Sequence, residues 1–156
     1  METTLANLTA AVNTRLTAGL AALNDVAGPL TAEIAILTED VGDLDTKINK
    51  AINEIGMLVL IGQPHFVNES PTAPASCLKI HFAIAIGELP TTWRDDGGLK
   101  PKAPAVVQYV TQLLAQYWIE GFLPLRVLRA DFVPDKKRQL YELSLETVAT
   151  INQIST

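Results

Sequence analysis

The chain has 156 residues, 48% of them hydrophobic, and a formal net charge of −5. That length suits one domain with or without an appendage, and the hydrophobic content exceeds that of a disordered chain. The acidic balance argues against specific nucleic-acid binding, which would need a basic stripe. The longest strongly apolar run, MLVLI at 57–61, is far shorter than the roughly 20 residues of a membrane span, so no membrane partner is expected.

Residues 1–55 are predicted to form a helical arm of two helices broken at Gly28-Pro29, because glycine ends a helix and proline suits the first turn of the next. Residues 1–56 carry eight acids and three bases, which accounts for the whole net charge, and they contain no Trp, Tyr or Phe. A compact core usually contains aromatic residues. We therefore expect this arm to extend away from the rest of the chain.

The second helix of the arm carries a heptad seam, in which apolar residues recur at alternating spacings of three and four. Such a narrow, coiled-coil-like seam on an acidic helix needs a partner helix. Three arrangements are open: an antiparallel hairpin within the chain, an intermolecular coiled coil, or packing of the second helix on the globular part. The seam consists of Leu30, Ile34, Leu37, Val41, Leu44, Ile48, Ala51 and Ile55, and the first six are interaction candidates.

Residues 56–156 are predicted to form an α+β domain, in which a small and mostly antiparallel sheet packs against one helix. Apolar residues alternate through 78–87, which is typical of a strand with one buried face. Residues 103–121 have helical spacing, with Pro104 suited to the first turn and Gly121 to the end. Strands are expected at 56–67, 78–87, 125–133 and 139–150, the last two joined as a hairpin by PDKKR.

Two segments of the domain are candidates for contacts with other proteins. The loop ELPTTWRDDGGLKP at 88–101 turns the chain from a strand into a helix, which leaves Trp93 and Arg94 as its contact candidates. Lys136, Lys137 and Arg138 form a basic run at the predicted hairpin tip. That run is either a solvated turn or an electrostatic contact with the acidic arm of a neighbouring chain.

No catalytic constellation stands out, so we expect neither an enzyme nor a cofactor or metal site. The sequence has no glycine-rich phosphate loop, nucleophile elbow or two-histidine metal motif. His65 and His81 have no spacing that would require them to converge on a metal. Asp95-Asp96, followed by two glycines, is first a turn sequence.

Four segments of the C-terminal part occur in a characteristic order. They are IAIGELPTTWR at 84–94, Gly97-Gly98, AVVQYVTQLLAQYW at 105–118 and YELSLETVAT at 141–150. A strand, an E-x-P-x-x-aromatic-Arg loop with glycine, a helix and a closing strand in this order resemble the small tail-completion and tail-terminator proteins of tailed phages and prophages. The helical arm departs from the usual short form of that family.

The resemblance implies a structural virion protein in the tail or neck, made in the host cytoplasm. Such proteins form rings, commonly hexameric, that end the tail tube and join it to the head. The implied partners are further copies of the chain and other tail or neck proteins. An alternative from a different class is a non-viral adaptor or scaffold protein that dimerises through its coiled coil.

Overall fold

The structure, a computed structural model, describes residues 2–26, 34–40, 42–67, 77–93 and 101–150. Its helices are α1 (Glu2–Val26), α2 (Leu44–Glu54), α3 (Pro90–Trp93) and α4 (Ala103–Leu114). Its strands are β1 (Ala35–Thr38), β2 (Met57–Ile61), β3 (His65–Val67), β4 (Cys77–Glu88), β5 (Arg126–Val133) and β6 (Gln139–Thr150).

The described strands form one six-stranded sheet in the order β1-β2-β4-β6-β5, with β3 also pairing with β4. β1 runs parallel to β2, and the remaining pairs are antiparallel. The α+β prediction and its mostly antiparallel sheet are confirmed. The predicted hairpin of the last two strands is present as well, because β5 and β6 pair antiparallel.

The predicted strand at 56–67 is interrupted in the structure. Its two parts, β2 and β3, pair with the same strand, β4, in registers that differ by one residue: Ile61 lies opposite Ile84, and His65 lies opposite His81. Three residues, Gly62 to Pro64, therefore face two on β4. Proline has no N–H to donate to a ladder, which explains why regular pairing stops here.

One face of the sheet forms the hydrophobic core under α1 and α4. Leu8, Val12, Leu16 and Leu20 of α1 lie in the same buried cluster as the core face of β4. They recur every four residues, which aligns them along one side of a helix. The expectation that this first helix extends away from the domain is wrong. Its stripe of aliphatic side chains is enough to pack the helix on the core, and no aromatic residue is needed for that.

The predicted second arm helix is also wrong, because residues 35–38 form a strand and the helix begins only at Leu44. The run Ile34 to Leu37 is apolar without a break, which suits a strand with apolar contacts on both faces. Ile36 contacts the core under α1 and α4, whereas Leu37 contacts a second cluster under α2. Of the three arrangements left open, helix packing on the globular part is the one observed for α2, through Ile48, Ala51 and Ile52.

α4 is shorter than the predicted helix at 103–121, since it ends at Leu114. Gln116 has a positive φ of 63°, and its N–H donates to the carbonyl oxygen of Leu125 at 2.9 Å. The chain therefore turns back toward β5 rather than continuing the helix. At the other end, the buried Glu88 accepts a hydrogen bond at 3.0 Å from the backbone N–H of Ala103, the first residue of α4.

Gly56 lies in a tight contact between the start of β2 and the loop after β4. Its φ is +92°, and a Cβ built there would lie 2.6 Å from the backbone nitrogen of Trp93. Its carbonyl oxygen accepts a hydrogen bond from the N–H of Leu89 at 2.8 Å. Both the backbone conformation and the lack of space therefore require glycine.

Gly56→Ala should lower the free energy of unfolding by about 2–4 kcal/mol, because it combines left-handed backbone strain with a clash against Trp93. Urea denaturation measures this loss. Gly42→Ala is the matched control, since a Cβ at Gly42 meets nothing within 4 Å, and its effect should stay within about 0.5 kcal/mol. Equal effects of the two substitutions would contradict the assignment.

Candidate functional site

Of the two contact candidates in the loop at 88–101, Trp93 and Arg94, the structure does not support Trp93. Its side chain is 0% exposed and lies in the hydrophobic core, so it offers no surface to a partner. Its indole Nε1 donates to the carbonyl oxygen of Pro101 at 2.8 Å, which ties the two ends of the loop together. The prediction of Trp93 as a contact residue is wrong, and Arg94, Asp95 and Asp96 lie outside the described residues.

The heptad residues make their contacts within the chain. Ile34 belongs to the main core, and Leu37 and Ile48 pack against the smaller cluster under α2. Leu44 is half-buried at the start of α2. Leu30 and Val41 lie outside the described residues. The described residues thus contain no continuous helical seam for a coiled coil.

The basic run lies at the hairpin tip, as predicted, with Lys136 and Lys137 exposed and Arg138 half-buried. Asp135 Oδ1 accepts hydrogen bonds at 3.0 Å from the backbone N–H groups of Lys137 and Arg138. The Arg138 guanidinium donates to Asp135 Oδ2 at 3.3 Å. Asp135 therefore shapes the turn that presents the three bases.

A cleft of about 560 Å³ separates this tip from α2. Its lining comes from α2, the end of β4 and the tip, and comprises Asn49, Ile52, Asn53, Leu89, Asp135, Lys136, Lys137 and Arg138. The cleft combines amide and basic side chains, which are suited to hydrogen bonds with an acidic segment. Contact of the tip with the acidic segment of a neighbouring chain stays a prediction.

A cluster of polar side chains lies on the open face of the sheet, which is the face of β4 and β6 opposite the core. Glu146 is 8% exposed, and its Oε2 lies 2.8 Å from His81 Nε2. Its Oε1 accepts a hydrogen bond from Arg126 Nη1 at 3.2 Å, and Lys79 Nζ lies 3.9 Å from Oε2. One nearly buried carboxylate is thus compensated by basic side chains on both neighbouring strands.

The strand register explains this cluster. Glu146 lies directly opposite His81 on one side and Arg126 on the other, so it occupies the middle of three strands. His81 and Glu146 each lie on the more polar side of the alternation in their own strand, but only the pairing of β4 with β6 brings them together. The described residues contain no group of three or more His, Cys, Asp or Glu that could hold a metal. The arrangement links β4, β5 and β6 through side-chain contacts on the open face.

The strand β5 carries exposed apolar side chains at the edge of the sheet. Leu128, Phe132 and Val133 are 45%, 55% and 39% exposed, and Phe132 packs edge-on against Tyr141 at 5.3 Å. Among the described strands, none pairs with the outer edge of β5. Exposed apolar residues on an unpaired edge are typical of protein-protein contact surfaces. The sequence pattern showed this strand but could not show which strand lies at an edge.

Trp118 and Leu123 enlarge the exposed apolar surface in the segment after α4. Their exposed fractions are 61% and 50%. Trp118 lies in the segment that replaces the predicted end of the helix, and Leu123 follows it before β5.

No family model and no curated protein matches the chain. The fold is similar to that of a chain in a solved structure described as the virion of a native gene transfer agent (GTA) particle. The TM-score is 0.54 at 18% identity, and the match covers 89% of this chain and 91% of the other. At this identity the likeness shows a shared fold. No helix in the described part of the chain is long and apolar enough to cross a membrane.

Glu146→Gln should lower the free energy of unfolding by about 1–2 kcal/mol, because it removes the nearly buried carboxylate that pairs with Arg126. The loss is smaller than for a fully buried pair since the basic partners are partly exposed. Chemical denaturation measures it. Glu142→Gln is the matched control: Glu142 lies on the same strand and face but is exposed, and its effect should be within about 0.5 kcal/mol. Indistinguishable losses would show that the cluster does not stabilise the sheet.

The pKa of Asp135 lies below its ordinary value of 3.8, because the backbone N–H groups of Lys137 and then Arg138 donate to its carboxylate. Since the folded-state pKa is lowered, its stabilisation of the turn is present above pH 3.8 and is lost as the pH falls through the lower folded value. We expect the amide NMR shifts of Lys137 and Arg138 to titrate below pH 3.8, and this titration to disappear in Asp135→Asn. A midpoint at or above 3.8 would contradict the hydrogen-bonded turn.

Proposed function

We propose that the chain is a structural protein of a phage-like virion, located in the tail or neck. The observation that carries this proposal is the likeness of fold, almost from end to end, to a chain in the virion of a gene transfer agent particle. The segments at 84–94, 97–98, 105–118 and 141–150 support it independently, because they resemble tail-completion and tail-terminator proteins.

The finer proposal is a tail-terminator role. In this role copies of the chain form a ring, commonly a hexamer in that family, which ends the tail tube and offers a joining surface to the head. Other tail or neck proteins are then its further partners. The exposed apolar side chains of Trp118 and Leu123, in the segment after α4, support assembly, since their burial requires a protein neighbour.

The charge of the chain is compatible with a position near passing DNA. Its net charge of −5 disfavours adhesion to a polyanion, so the proposal includes no specific nucleic-acid binding. The role needs no catalysis, because binding between protein surfaces is sufficient for it.

The alternative of a coiled-coil adaptor has lost its basis. It depended on a continuous helix through the heptad seam at 30–55, and within that stretch the structure has a strand at Ala35–Thr38 and a helix from Leu44. Among its described apolar residues, Ile34, Leu37, Ile48 and Ala51 pack within the same chain. We therefore retain the virion role.

Deletion of the gene in cells that produce the particles should abolish particles with joined heads and tails, because the tail tube would lack its end and its joining surface. Negative-stain electron microscopy measures tail length and joining, and mass spectrometry of purified wild-type particles should detect the chain. A plasmid copy of the wild-type gene provides the control and should restore joined particles.

Different outcomes separate the two levels of the proposal. Tails longer than normal in the deletion strain support termination of the tube. Unjoined tails of normal length would reject termination but retain a joining role in the neck. Normal joined particles, together with absence of the chain from wild-type particles, would reject the virion role.

A further inference from the structure

The outer edge of β5 carries a sequence that is complementary to itself when it is reversed. In Leu128-Arg129-Ala130-Asp131-Phe132, a base and an acid flank a small central residue, and apolar residues lie outside them. The side chains of Arg129 and Asp131 are 71% and 53% exposed, and they form an ion pair at 2.9 Å within the chain. Both groups are thus available at the surface.

This pattern selects one way of pairing two β5 strands. If two copies meet antiparallel about Ala130, Arg129 of each lies opposite Asp131 of the other, and two ion pairs form. If the pairing is centred on Arg129 or on Asp131, identical charges lie opposite each other at the centre, which is destabilising. A shift by one residue also moves side chains to the wrong face. Charge therefore favours the register about Ala130.

The two faces of the strand suit the same register. Arg129 and Asp131 lie opposite Ser144 and Glu142 of β6, which places them on the open face of the sheet. Ala130 and Phe132 lie on the core side, as their alternation with the charged pair requires. In the antiparallel pair, each Phe132 comes diagonally next to the small Ala130 of the partner. Ion pairs would then line one face, and aromatic contacts the other.

We propose that the occupant of the β5 edge is a second copy of this chain, bound through antiparallel β5 strands with a two-fold axis at Ala130. Charged residues usually protect an edge because like charges repel an approaching copy. Here a base and an acid lie at equal distances on either side of Ala130, so an antiparallel copy brings opposite charges together and is attracted. The register irregularity of β5 lies between Val127 and Arg129, so Leu128 lies within it, whereas Arg129, Ala130 and Asp131 at the centre of the pairing lie in the regular part of the strand.

The two-fold pair is independent of the virion role. It is closed with two copies, whereas a ring needs a head-to-tail contact between different surfaces. The pairing is carried by the order of charges on one strand and by the exposed Phe132. A failure of the pair would therefore leave the proposed virion function untouched, and the reverse also holds.

Light scattering of the purified chain after size exclusion tests the proposal. The wild type should have twice the monomer mass of 16.9 kDa. Arg129→Asp and Asp131→Arg should each raise the dimer dissociation constant at least about tenfold, because two like-charge pairs replace two ion pairs. A mixture of the two variants should dimerise again, since one chain then supplies acids and the other bases at both positions. The double variant R129D/D131R should dimerise alone.

Lys47→Asp is the control, because it makes the same change of charge as Arg129→Asp at an exposed position of α2, which lies on the β1 and β2 side of the sheet, and it should leave the dimer intact. Far-UV circular dichroism of each variant establishes that loss of the dimer is not loss of folding. A monomeric or larger-than-dimeric wild type would overturn the proposal. So would single variants that remain dimeric, or a mixture and a double variant that both stay monomeric.

Discussion

The ladder between β4 and β6 is the interaction on which the rest of the structure depends. Twelve residue pairs join these strands without a shift, from Cys77 opposite Thr150 to Glu88 opposite Gln139. This unbroken register aligns the apolar residues on one face, where α1 and α4 cover them. It also brings His81 and Glu146 together on the other face. At its end, Glu88 holds the first N–H of α4, so the ladder positions the helix as well.

The two edges of the sheet differ in a way that bears on assembly. At one edge, residues of β1 pack both against the main core and against the cluster under α2. At the other edge, the last six of the eight residues of β5, Leu128 to Val133, are all exposed. Removing the apolar side chains of that run from water lowers the free energy. The β5 side is therefore the surface suited to a protein neighbour.

Sequence periodicity predicted the secondary structure correctly where a long stretch fitted only one period. It was misleading where a stretch fitted both a helix and a strand. The alternation through 78–87 and 139–150 correctly predicted β4 and β6. The spacings of three and four at 30–55 also contained an unbroken apolar run at 34–37, which forms β1. A short apolar run is compatible with either a helix or a buried strand, and pairing with β2 decides it. The candidate contact residues were harder to predict. Trp93 is buried rather than a contact residue, and its burial depends on packing between distant segments, which no local sequence pattern contains.

The amino-acid sequence by itself determined the α+β class, the strand hairpin, the position of α4 and the basic tip, because these follow from local periodicity and turn residues. Tertiary structure alone decided which strand lies at the edge, that α1 belongs to the core, and that Glu146 meets His81 and Arg126. The physical reason is that burial and charge pairing are properties of contacts between segments distant in the chain. Strand register sets those contacts, and a register error of one residue exchanges the two faces of a sheet.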